Sequence, residues 1–203
     1  MPVIGFSQKP SLDSLYKYQI EIQEIDSMGR YYFNTDYNKS ISYYDSAVIK
    51  MKYLISKKLG SIWDILFLYP SLACDYHNIS ACYSKLGDNT SSIIYALRSL
   101  GTFSGIEGQD SLTNNNMAGT YDLLASEYWK LAVENEEKTL SQTGYYSLAT
   151  KYYNRAINCY LKYKDYDDIA EDYLHLSDIY RKVNSIDKYS YCINQSEKYY
   201  GIK

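Results

Sequence analysis

The chain has 203 residues, 46% of them hydrophobic and 22% charged, the balance of a folded globular protein with enough length for one domain or a short repeat array. Its net charge of -3 and pI near 5.4 supply no basic excess to neutralise phosphates, which argues against nucleic acid as the main partner. The most apolar stretch, Ile62 to Tyr69, is too short to span a bilayer and contains Asp64.

In chain order, residues 1–10 read as an arm, because Pro2, Gly5 and Pro10 oppose regular structure, and one repeat domain is expected over 11–203. Ser11 can cap a helix running to about Tyr32. Asn34, Thr35 and Asp36 make a turn, and a second helix runs from about Tyr37 to Lys58, with Ile41, Tyr44, Ala47, Val48, Met51 and Leu54 at helical spacing. Gly60 ends it. Residues 61–70 read either as a short buried helix or as the start of the next one, with Pro70 suited to a first turn. The third helix covers about 71–86 and the fourth about 89–102. Gly105, Gly108 and the run Asn114-Asn115-Asn116, with Gly101 just before them, predict a loop over 102–116. Helices five to eight follow at about 117–137, 144–163, 168–183 and 185–200. No strand-like alternation is sustained, so the expectation is all-α.

Three of these helices share a pattern, Tyr-x2-aliphatic-(Ser/Ala)-x2-Tyr. It begins at Tyr76, at Tyr121 and at Tyr173, and its small residue is Ser80, Ala125 or Ser177. A small residue there lets two helices approach closely. The alternate helices carry a second stripe of small residues, with Ser40 and Ala47, then Ser92, Ala96 and Ser99, then Ala149 and Ala156. Such hairpins bury their apolar faces by stacking on one another. Tyrosine is abundant, at 27 residues, which coding bias together with half-buried seams between helices accounts for.

The pattern resembles the tetratricopeptide repeat. Leu86-Gly87-Asp88 after Tyr83, and Asp36-Tyr37 before Ser40, match that family's turn between helices. The second-helix motifs centred on Ala47, Ser99, Ala156 and Ser196 stand 52, 57 and 40 residues apart, against about 34 in the standard repeat. Longer helix pairs of that kind are similar to the SNAP adaptors of membrane fusion, most of all from Tyr145 to Tyr160. The resemblance implies a right-handed superhelical array of about four antiparallel helix pairs, with the first helix of each pair lining a concave groove.

On that logic the partner-binding residues are His77, Ser84 and Lys85 from one repeat, Trp129 and Lys130 from the next, and Asp178, Arg181 and Lys182 from the last. The four cations would form a strip suited to an acidic peptide or protein helix, and Trp129 would anchor it. Catalytic chemistry is not expected. The two histidines, His77 and His175, read as helix-surface residues, and no phosphate-loop, dinucleotide or zinc-protease motif occurs. No cofactor or metal is expected; Asp165, Asp167 and Asp168 only faintly imitate a cation loop. Cys74, Cys82, Cys159 and Cys192 lack metal-ligand spacing and suit buried helix positions. The start MPVIGFSQKPSLDS has no signal-peptide pattern, so a cytoplasmic setting is expected. The function class is a non-enzymatic scaffold or adaptor. Its variants are a SNAP-type trafficking adaptor, a pathogen or viral mimic of one, and a subunit of a large complex. A membrane-surface binder using Trp63 and Phe67 beside Lys57 and Lys58 is the weaker alternative.

Overall fold

A computed structural model describes residues 12–57, 67–106, 111–135 and 139–201. The expected arm at 1–10, the cap at Ser11, Gly60, Trp63 and the other residues of 58–66 lie outside the described residues. The described chain is all-α, with no strand among these residues: α1 (Leu12–Tyr32), α2 (Tyr37–Ser56), α3 (Tyr69–Lys85), α4 (Asn89–Ser104), α5 (Ser111–Glu134), α6 (Thr139–Tyr163), α7 (Tyr166–Lys182) and α8 (Ile186–Tyr200). Each helix packs on the next, so the chain forms four successive hairpins in a solenoid-like array, and α3 packs on α5 as well.

Local chemistry sets the boundaries. Asp36 and Asp88 cap α2 and α4, their carboxylates accepting the backbone N–H of Lys39 and Ser91 at 3.0 Å each. Pro70 sits in the first turn of α3. Gly87 takes φ 78° between α3 and α4, a conformation that glycine adopts without steric cost. Asp165 precedes α7, and Asp167 and Asp168 lie inside its first helical turn, where negative charge is favoured.

Among the described residues, helix takes over both ends of the loop expected over 102–116. Helix α4 continues through Ser104, and α5 starts at Ser111. Tertiary packing overrides the glycine and asparagine signals here. Phe103 is fully buried beside Ala73 and Met117, and Asn116 donates from Nδ2 to Cys74 Sγ at 3.3 Å. Burying these side chains stabilises helical turns whose intrinsic propensity is poor.

The core is two large apolar clusters joined by that small one. The first lies among α1, α2 and α3, around Ile22, Tyr44, Met51, Leu54 and Ile79. The second lies among the later helices, around Leu124, Tyr153, Ile157, Ile169 and Leu176. Small residues set the spacing. Ala73, Ala118 and Ala170, each seven residues before the aligned small residue, are fully buried. Ser99 Oγ donates to the carbonyl of Ala73 at 2.8 Å, and Ser80 Oγ donates to that of Ser92 at 2.7 Å. In α1 the corresponding position is Gly29, whose carbonyl accepts Ser40 Oγ at 2.8 Å. A Cβ on Gly29 would stand 2.7 Å from the Tyr44 ring.

Candidate functional site

The first helices of the four hairpins, α1, α3, α5 and α7, carry the buried acids Asp75, Glu127 and Asp172 and both histidines. Aligning them on their small residues (Gly29, Ser80, Ala125, Ser177) shows where those residues go. The side chain three positions before the small residue meets the one five positions before it in the next first helix. Between α1 and α3 this joins Asp26 to Asp75, carboxyl to carboxyl. Between α3 and α5 it joins His77 Nδ1 to Thr120 Oγ1 at 3.0 Å. Between α5 and α7 it joins Asp122 to Asp172, again two carboxyls.

A second layer lies about two turns further along. In the middle of the array Ser84 Oγ donates to Glu127 Oε1 at 2.6 Å. Lys130 Nζ donates to the same oxygen at 2.6 Å and to Ser84 Oγ at 2.9 Å. Glu127 is fully buried, so Lys130 neutralises a charge inside the protein through Oε1, while Oε2 is buried without a hydrogen-bond partner. The corresponding positions of the outer junctions are apolar. Phe33 and Cys82 share the N-terminal cluster, and Trp129 and Ile179 share the C-terminal one.

The electrostatics follow from burial. Asp75 and Asp172 are each 2% exposed, and desolvation with a neighbouring carboxyl raises both above the ordinary range, Asp172 to about 10. Desolvation also raises Asp26 and Asp122. His77 is pulled down to about 4 by burial, so it is neutral over most of the pH range. Tyr153, stacked on His175 with centroids 5.2 Å apart, is pushed up by burial and by Asp122 and Asp172.

The residues expected to line a groove therefore divide. His77, Ser84 and Lys130 are engaged between α3 and α5. Trp129 packs half-buried against the C-terminal core, with its Nε1 buried and unpartnered, so it is core at least as much as anchor. Arg181 pairs with Asp178 at 2.8 Å on α7. Lys85 and Lys182 are exposed. The cationic strip is thus interrupted at Lys130 by its ion pair with Glu127. The expectation that the histidines lie on a helix surface is corrected as well, since both are half-buried between helices.

The sequence reading passed over Asp26, Asp75, Thr120, Asp122, Glu127 and Asp172 as a set. A signal was present: Asp75, Thr120 and Asp172 each stand immediately before an aligned tyrosine. Among the described residues no group of three or more His, Cys, Asp or Glu side chains is placed to hold a metal ion. Likewise, none of the described helices is long and apolar enough to cross a membrane. The four cysteines are free thiols, Cys82 and Cys192 buried and the other two half-buried.

No family model matches the sequence, and no curated protein matches it. Among solved structures the chain is similar to the crystal structure of BtubC (BKLC) from P. vanneervenii, with a TM-score of 0.45 and 15% sequence identity, over 93% of this chain and 83% of that one.

Proposed function

We propose that the protein is a non-enzymatic scaffold or adaptor that works in the cytoplasm without a cofactor and holds a protein or peptide partner along its first helices. One observation carries the reading. A lysine recurs nine residues after each aligned tyrosine, as Lys85, Lys130 and Lys182, while the polar residues beside it are spent on joining helices. Two of those lysines stay exposed, one at the C-terminal end of α3 and one at that of α7. A helix C-terminus favours a cation in the free protein. Recurrence at one repeat position fits a row that a long acidic partner can span, because each repeat offers its contact one step further along. In its finer form the proposal is a tetratricopeptide-like adaptor of the SNAP kind, with a SNARE-type helix bundle as its partner.

Capture from the native source, with mass spectrometry of what is retained, tests the general form. The unmodified chain should retain a partner that a Lys85→Glu, Lys182→Glu variant loses at least tenfold, with helicity unchanged by circular dichroism. Equal retention by both would reject this face. A pulldown against assembled SNARE bundles tests the finer form separately.

A further inference from the structure

The three junctions between successive first helices use the same two positions, yet only the middle one sets a cation against its buried acid, whose second oxygen, Glu127 Oε2, is itself buried without a hydrogen-bond partner. There a neutral histidine meets a threonine hydroxyl, and a buried glutamate meets a lysine. The outer two each bring carboxyl against carboxyl. Asp75 and Asp172 are almost fully buried, and Oδ2 of each has no hydrogen-bond partner; Oδ1 of Asp26 is likewise buried and unmatched. Two adjacent carboxylates out of water repel one another and cannot both ionise at ordinary pH, whereas one shared proton turns the contact into a hydrogen bond.

The neighbours relieve this only in part: Arg30 favours the charged form of Asp26 and Asp75, and His175 that of Asp122, but desolvation outweighs both. Around Asp26 and Asp75 stand Arg30 of α1, Tyr44 of α2, and Cys74 and Cys82 of α3. Arg30 is exposed and donates to Ser27 Oγ. Around Asp122 and Asp172 stand Asp168, Glu171 and His175 of α7, Asp165 before it, and Tyr153 and Tyr160 of α6. That site is acidic on most sides. Backbones approach closely between α3 and α5, whereas α1 and α3 are each seated on α2, and α5 and α7 on α6, so that the two outer first-helix pairs have no comparable backbone approach.

We propose that the array has two proton-closed joints: the pairs Asp26–Asp75 and Asp122–Asp172 each hold one proton that closes α1 on α3 and α5 on α7, and release of that proton to solvent opens both joints while α3 stays seated on α5. The direction follows from linkage. The folded carboxyls bind the proton more tightly than the unfolded chain does. Closure is therefore fully supported below the ordinary carboxylate range and lost as pH rises, toward about 10 for Asp172. The middle joint does not share this behaviour, because His77 gains charge only near pH 4.

Hydrogen exchange of the full chain at pH 6 and pH 9, expressed as protection factors that remove the intrinsic rate, tests the joints. One released proton reduces protection by up to about tenfold per pH unit. Protection in α1 and α7 should fall at least tenfold across the interval, with α4 falling much less. Asp75→Asn and Asp172→Asn each put a neutral amide where the protonated acid stands, and should hold their own joint's protection within about twofold. Asp26→Asn and Asp122→Asn do the same from the opposite helix and serve if the first pair does not fold. A wild-type chain with flat protection, an equal fall in every helix, or a fall that persists in the asparagine variants would overturn the proposal. The wild-type result decides even with no variant in hand.

Discussion

Between α3 and α5, Ser84, Glu127 and Lys130 close a polar set around a buried charge. Between α5 and α7 the same repeat positions hold Trp129 and Ile179 inside an apolar cluster. One backbone geometry thus carries two chemistries. Spacing in this array comes from small residues, such as Ala73, Ala118 and Ala170, which are buried in every case. The side chains of a junction are then free to vary, provided that whatever is buried finds its complement. Where the complement is another carboxyl, the missing component is a proton.

Substitutions can break that contrast in order of expected size. Tyr153→Ala should cost most, about 3–5 kcal/mol, because it deletes a fully buried ring beside His175 and empties the space under the Asp122–Asp172 junction. Urea unfolding of the variant should show the lower midpoint, and an unchanged midpoint would remove Tyr153 from the core. Glu127→Ala should cost about 2–3 kcal/mol by leaving Lys130 and Ser84 without their shared acceptor. Glu127→Gln, which keeps an acceptor for Ser84, should cost less in thermal melts. If Glu127→Gln costs nothing, the middle junction gains nothing from its charge; equal costs for the two changes would place the whole gain in the charge. Gly29→Ala should cost about 1–3 kcal/mol by pressing a methyl group into the Tyr44 ring. The same change at Gly101, whose added Cβ meets nothing within 4 Å, should stabilise slightly. Asp36→Ala and Asp88→Ala should each cost about 1 kcal/mol through loss of a cap. Near-equal values by calorimetry would show the two turns to be equivalent.

Much of the architecture was legible before any coordinates. The aligned tyrosines, the small residues and the turns at Asp36 and Asp88 are local signals, and local signals fix helices and turns. The stripe of small residues foretold a close helix approach at Ser99, and the structure adds the bond from Ser99 to the carbonyl of Ala73. Two things were not legible. Phe103 and Met117 bury together across what reads as a loop, and nothing near either residue announces the other. Asp26 and Asp75 are 49 positions apart in the chain, and each alone reads as a solvated surface acid. Only the register of one hairpin on the next brings them together. For the same reason the lysine strip looked continuous, since the acceptor for Lys130 is the buried Glu127 three residues before it on the same helix.

The junction rule also says which hairpins could be added or exchanged as the chain changes by duplication. A second copy of α3–α4 inserted after the first would set His77 of one copy opposite Asp75 of the next, base against acid, a match that neutralises itself. A second copy of α5–α6 would set Asp122 opposite Thr120, which leaves a lone buried acid with a hydroxyl donor. Growth from the α3–α4 hairpin is therefore chemically tolerant. An array lengthened that way would keep its two carboxyl seams and gain a self-neutralising one between them.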